Sequence, residues 1–226
     1  MNQKITELPL MRETMNQKIT VATLNAKSYY KIINTLKLLQ LNYEELSPSE
    51  ALNSYSKIII TSKEESSIFK KRNIIMDSEL NENPVIIKAK ILRKLIKSHT
   101  YDQLTIGIDP GNRIGISIFY LYDEIESVVL STIESALNFI ITILSEIHAK
   151  KKIVRIGNGN INMAKSIAIL IKSNFKDLVH IEIVNEHGTS SIQNSESNRR
   201  ILKDKSSARL IAFRNGKTFD PKTDRS

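Results

Sequence analysis

Asp109 stands where the run Leu104-Thr-Ile-Gly-Ile-Asp109 breaks into Pro110-Gly111, and a carboxylate at the end of a buried strand is well placed for metal-dependent phosphate chemistry. Leu104, Ile106 and Ile108 alternate with smaller residues, which predicts a strand, and the β-rich run from Ile114 to Tyr122 predicts its partner. Proline presets φ at the second turn position and glycine accepts positive φ at the third, so Pro-Gly predicts a type II turn between antiparallel strands. Glu186 ends the run His180-Ile-Glu-Ile-Val-Asn-Glu186 ahead of a turn at Gly188, again at a strand end. Asp204 lies in Arg199 to Arg214, where helical spacing puts Ile201, Asp204, Ala208 and Ile211 on one face. A carboxylate in an apolar stripe is costly alone, so Asp204 needs a cation, an arginine or a metal, unless it caps a later helix start. The ordinary roles weigh against this chemistry: an Asp before Pro-Gly commonly caps the turn, and a strand-end Glu is commonly just solvated.

The order of these elements resembles a known family. A strand-Asp-x-Gly hairpin at Asp109, a strand-Glu at Glu186 followed by Thr189-Ser-Ser191, and a helical Asp-x-x-Ser-Ala at Asp204 to Ala208 resemble the ribonuclease-H-like YqgF-type Holliday-junction resolvases. A more distant resemblance is to the RuvC resolvases. It covers roughly residues 104 to 214, and each motif alone is short. The resemblance implies a ribonuclease-H-like mixed sheet with flanking helices, in which Asp109, Glu186 and Asp204 gather at one end of the sheet and hold Mg²⁺ or Mn²⁺. Two ions held about 3.5–4 Å apart by shared carboxylates can activate water and stabilise a leaving oxygen, which is the requirement of phosphodiester hydrolysis. Two departures stand out. The expected strand Lys152 to Ile156 runs into Gly157-Asn-Gly-Asn160 without the acid of RuvC-type enzymes, and His187 replaces the basic residue that follows the middle glutamate. Zinc is disfavoured, because the chain has no cysteine and its four histidines lack ligand spacing. No serine sits in a nucleophile elbow.

A formal net charge of +9 favours a polyanionic partner, since lysines and arginines on phosphates release condensed counterions. The partner expected is nucleic acid, branched or otherwise structured DNA or RNA. Residues 1–100 carry 16 Lys+Arg against 10 Asp+Glu and residues 101–226 carry 17 against 14, so the excess is spread over both halves. Arg199, Arg200, Lys203, Lys205 and Arg209 surround Asp204 and are the candidate phosphate contacts; Lys70 to Arg72 and Lys150 to Lys152 with Arg155 are further basic segments. No apolar run reaches the ~18 residues of a membrane span. With no cysteine and no apolar signal core in residues 1–20, the expected location is cytoplasmic. A homodimer stays open.

The elements that must position the acids fall in the second half. Glu134 to Lys150 and Ile161 to Ser173 read as helices with apolar stripes, and strands alternating with them indicate an α/β or mixed sheet. Ahead of it the pattern reads strand Lys18–Leu24, helix Lys27–Gln40, strand Tyr43–Leu46 and strand Lys57–Thr61. Polar residues 62–83 interrupt, and Pro84 opens a helix to about Ile96. Three segments are therefore expected: a small α/β domain over 15–98, a ribonuclease-H-like domain over 99–226, and a flexible extension over 1–14. The extension follows from a duplicated hexapeptide, Met1-Asn-Gln-Lys-Ile-Thr6 and Met15-Asn-Gln-Lys-Ile-Thr20.

A purely structural two-domain protein with no nucleic-acid partner is one rival to a nuclease, and two other functions compete with it. One is a non-catalytic nucleic-acid-binding or assembly protein, favoured by the missing fourth acid. The other is an actin-like or sugar-kinase-like phosphotransferase, whose fold also opens with a strand-Asp-x-Gly hairpin; it needs a second phosphate loop and an adenosine pocket, neither of which the sequence supplies.

Overall fold

The computed structural model of the chain describes residues 19–96, 101–186 and 197–221, without the side chains of 197–199. Residues 1–14, Gly188 and the Thr189 to Ser191 motif lie outside them. The chain divides into two compact units, Met1–His99 and Thr100–Ser226.

The first unit is a four-stranded, all-parallel sheet in the order β2-β1-β3-β4, built from β1 (Ile19–Val21), β2 (Tyr43–Glu45), β3 (Ile58–Thr61) and β4 (Ile74–Met76). Helix α1 (Ala26–Leu38) starts at Asn25, whose side chain accepts from the Ser28 N–H. The short α2 (Pro48–Leu52) has a Ser47/Glu50 capping box, and α3 (Pro84–Leu95) is capped by Asn83 with proline in its first turn. Ile19, Val21, Ile32, Leu36, Ile58, Ile60, Ile87 and Ile91 form one core. Strand β1 stops three residues before the expected end because Thr23 to Asn25 are committed to the helix cap and to Glu65. Strand β4 lies inside the segment read as a polar interruption; three residues of parallel edge strand give no periodic signal.

The second unit is a six-stranded sheet in the order β10-β9-β8-β5-β6-β7. Its strands are β5 (Gln103–Asp109), β6 (Ile114–Tyr120), β7 (Asp123–Leu130), β8 (Lys151–Gly157), β9 (His180–Val184) and β10 (Lys217–Thr218). Strands β5, β6 and β7 form an antiparallel meander, β8 and β9 run parallel to β5, and β10 is antiparallel to β9. A meander whose first strand continues into parallel β-α units is the ribonuclease-H-like arrangement, and the fold is of that class. Helices α4 (Ile133–Glu146) and α5 (Ile161–Phe175) supply the crossovers, and α6 (Ser197–Phe213) packs over β5 and β6. Leu104, Ile106, Ile108, Ile116, Val154 and Ile156 form the fully buried centre of the sheet.

Two local expectations change. Gly111 does not take a positive φ, so the β5–β6 connection is not a type II turn; the reversal is spread over Pro110 to Arg113, and no residue there needs left-handed backbone. The run from Ile114 to Tyr122 ends as a strand at Tyr120, because Leu121 (φ 53°) and Tyr122 (φ 71°) turn the chain into β7. Positive φ at both central residues is the requirement of a twist-matched two-residue hairpin, here met without the usual Asn-Gly. Leu121 is buried and Tyr122 packs edge-on against Tyr101, with ring centroids 5.2 Å apart.

Candidate active site

Strands β5, β8 and β9 are parallel, so their carboxyl ends share one edge of the sheet, where open α/β sheets place ligands. Asp109 is the last residue of β5, and Glu186 follows β9 by two residues. Asp204 reaches the same place from α6, whose backbone crosses the sheet so closely that a β-carbon added to Gly115 would lie 2.3 Å from the Asp204 carbonyl oxygen. Gly115 is the register partner of Asp109. The absence of a side chain at 115 therefore lets the helix settle with Asp204 beside the end of β5.

The acids act on one another. Burial and the negative charges of Glu186 and Asp204 push the Asp109 carboxyl up to about 6, against the smaller opposing effects of a Ser207 hydrogen bond and the charge of Lys203. Each of the other two has its own support. Asp204 is ion-paired with Arg113, at 2.9 Å, in the loop that follows Asp109. Glu186 accepts the Gly159 N–H at 3.0 Å, while its own N–H donates to Asn158 Oδ1 at 3.1 Å. A β-carbon at Gly157 would fall 1.9 Å from Glu186 Oε1, so the turn after β8 that lacks an acid is instead the seat of one. Among the described residues no three acidic or histidine side chains lie close enough together, as placed, to hold one ion. In chemistry the donor set fits a hard divalent cation: three carboxylates from separate elements, with Asp109 held above its ordinary range in part by the charges of the other two.

The basic residues divide sharply. Arg200 and Lys203 are exposed on α6, Lys205 is half-buried, and the Arg199 side chain lies outside the described residues. Arg209 forms a bidentate pair with Glu124 of β7, and Glu124 also accepts from Ser117 Oγ at 2.7 Å, which ties α6 to the meander. Arg155 is consumed internally: it donates to Glu182 at 2.8 Å, to the Ala212 carbonyl at 2.6 Å and to Asn215 at 3.2 Å. Burial alone would raise the Glu182 carboxyl, but hydrogen bonds from Arg155 and the Gly216 N–H hold it below its usual range. Arg72 likewise spends its guanidinium on the Leu52 and Ser56 carbonyls, and Lys152 donates to Leu144 O. These side chains brace the fold. His187 lies outside the described residues.

Arg113, Ser207 and the Asn158-Gly159 turn had no role assigned from sequence. Ser207 sat in the Asp-x-x-Ser-Ala motif and was its available signal; a turn arginine and an Asn-Gly pair carry none without a fold.

No protein-family profile matches the chain, and no curated protein matches it. Among solved structures it is similar to the Argonaute of Marinitoga piezophila, crystallised in complex with a 5′-OH guide RNA, at 14% identity and a TM-score of 0.27, over 79% of this chain and 41% of that one. It is also similar to Aa-Ago, crystallised with externally bound siRNA, at 11% identity and a TM-score of 0.26, over 80% of this chain and 37% of that one. The chain spans about two fifths of the length of these proteins.

Proposed function

We propose that this protein is a metal-dependent nuclease that hydrolyses phosphodiester bonds in structured nucleic acid, with Asp109, Glu186 and Asp204 as its catalytic acids. The observation that carries the reading is the electrostatic coupling of Asp109 to Glu186 and Asp204 at the carboxyl edge of a ribonuclease-H-like sheet. Asp109, Glu186 and Asp204 would hold Mg²⁺ or Mn²⁺, which supplies an activated water and stabilises the leaving oxygen. Ser207 orients the Asp109 carboxyl, and the Asn158-Gly159 turn orients Glu186. Arg113 neutralises Asp204 and, once exchanged for a divalent ion, becomes a guanidinium available to a phosphate at the same edge. Arg200, Lys203 and Lys205 on α6, with Arg199, are the phosphate contacts in this reading. Arg209 contributes only if its Glu124 pair opens.

The resemblance to YqgF-type resolvases supports branched DNA as the first substrate to try. The decisive assay incubates the full chain with four-way junction, duplex and single-stranded DNA and RNA, with and without Mg²⁺ or Mn²⁺. Cleavage that requires the ion, and that Asp109→Asn reduces by more than the roughly 10–100-fold typical of losing a supporting residue, is the expected result. Full cleavage by a folded Asp109→Asn protein would leave Asp109 as a turn cap. Salt-sensitive binding without any cleavage favours the second reading, a binding module, which the Arg113–Asp204 ion pair and the acid-free end of β8 support.

A further inference from the structure

A cavity of about 370 Å³ opens at the same sheet edge, on the far side of Glu186 from Asp109 in strand order. Its apolar lining is Ile161, Ile183 and Phe219, and its polar lining includes Lys165 of α5 and Lys217 of β10 together with the amides of Asn158 and Asn215. Among the described residues no carboxylate lines it or pairs with either lysine. The two amides are already half used, and on the same side. Asn158 Oδ1 accepts the Glu186 N–H and Asn215 Oδ1 accepts from Arg155, so the group each has left is its NH₂ donor. The cavity thus joins an apolar lining, two hydrogen-bond donors suited to ring carbonyls or ring nitrogens, and two cations suited to a phosphate. Its size falls in the range of small-ligand sites.

From these features we infer that the cavity is a nucleotide subsite: it takes one unpaired nucleotide of the strand, with the base over Ile183 and Phe219 and a flanking phosphate between Lys165 and Lys217. The inference rests on the nucleic-acid reading above and adds to it a preference for a substrate with an unpaired position beside the scissile bond. The link to the acids is direct, because Asn158 lines the cavity and also accepts the Glu186 N–H. A base seated here fixes the strand relative to Glu186 without touching the acids. Base contacts of this kind discriminate, while phosphate contacts position.

The test uses the full chain in EDTA, so that binding is measured without turnover, with a fluorescein-labelled single-stranded oligonucleotide in both DNA and RNA forms. A Lys165→Glu/Lys217→Glu variant should bind about tenfold or more weakly, with the slope of log affinity against log salt reduced by about two. A charge-matched Lys27→Glu/Lys37→Glu variant on α1 should stay within about twofold. A Lys165→Gln/Lys217→Gln variant guards against charge-reversal misfolding and should lose affinity in the same direction with an unchanged melting temperature. In parallel, photo-crosslinking of a 4-thiouridine oligonucleotide should label the peptides containing Asn158 to Lys165 or Asn215 to Phe219. Equal losses in the pocket and α1 variants, or crosslinks confined to α6, overturn the subsite while leaving the nuclease reading intact. A wild-type chain that binds no single-stranded oligonucleotide overturns the subsite, whereas the nuclease reading stands or falls separately on metal-dependent cleavage of junctions.

Discussion

Among the described residues, Asp109 carries the clearest pH dependence. Its carboxyl sits at about 6 in the folded chain against an ordinary value of 3.8. Between those pH values the folded state binds the extra proton, so this residue's contribution to stability falls as pH rises through the window and levels off above it. Carboxylates held low, such as Glu65 and Glu182, act in the opposite sense and lose their contribution as pH falls. The clean observable is therefore a difference. In metal-free buffer the melting temperature of Asp109→Asn minus that of wild type should grow from pH 4 to 6 and then stay constant; a flat difference would show that Asp109 titrates normally. Arg113 is the second informative residue. It holds Asp204 at 2.9 Å with both side chains partly exposed, so it competes with any cation for that carboxylate. Arg113→Gln should strengthen Mn²⁺ binding several-fold, read calorimetrically or as a larger Mn²⁺-induced rise in melting temperature. Unchanged or weaker Mn²⁺ binding would remove Asp204 from the ion's ligands. From sequence alone, Asp204 was recognisable as an acid that needed a partner, because its neighbours Ala208 and Ile211 are apolar at helical spacing. That the partner is Arg113 was not, since nothing in a single sequence pairs positions so far apart.

At the scale of elements, the site depends on how closely α6 approaches the sheet. A methyl group at Gly115 would strike the Asp204 carbonyl, which is backbone and cannot rotate aside. Gly115→Ala should destabilise the chain by about 1–3 kcal/mol, the ordinary cost of overpacking. It should also weaken metal-dependent cleavage, because the helix that carries Asp204 must lift. Denaturant melts measure the first effect, and stability within about 0.5 kcal/mol of wild type would mean the helix has room to spare. Long elements were readable from the sequence: β5, α3, α5 and α6 follow their apolar periodicity to within a few residues. Short ones were not. Strand β4 is three residues long, and the β6–β7 reversal at Leu121-Tyr122 uses side chains that advertise no turn. There the positive φ is held by burial of Leu121 and the Tyr101 contact, which are tertiary effects that override local preference.

Across the whole molecule, each unit has its own sheet and its own buried core. Residues 15–98 are proposed to fold independently, and a fragment of that span should melt cooperatively by far-UV circular dichroism; a non-cooperative, unfolded spectrum would show that it depends on the second unit. The first unit also shows why composition underdetermines function. Where a parallel sheet would offer a ligand the turn after β1, Glu65 fills the position, accepting from Leu24 N–H and from the Thr23 and Ser62 hydroxyls. Net charge pointed to nucleic acid in general terms, but the basic segments separated into structural and available cations only in three dimensions. Arg72 and Arg155 hold backbone carbonyls, whereas Arg200 and Lys203 remain at the surface.

The passage of α6 over β5 and β6 also sets an order of events during synthesis. The meander from Gln103 to Leu130 is made of neighbours in sequence and can pair early, whereas Asp204 emerges 95 positions after Asp109. A nascent chain that has folded its meander therefore has Asp109 in place and no helix to complete the cluster. Under the proposed nuclease reading, competence requires α6, so a nascent chain that has not yet folded this helix lacks the third acid. Chains stalled before Ser197 should be inert toward any substrate that the released protein cleaves.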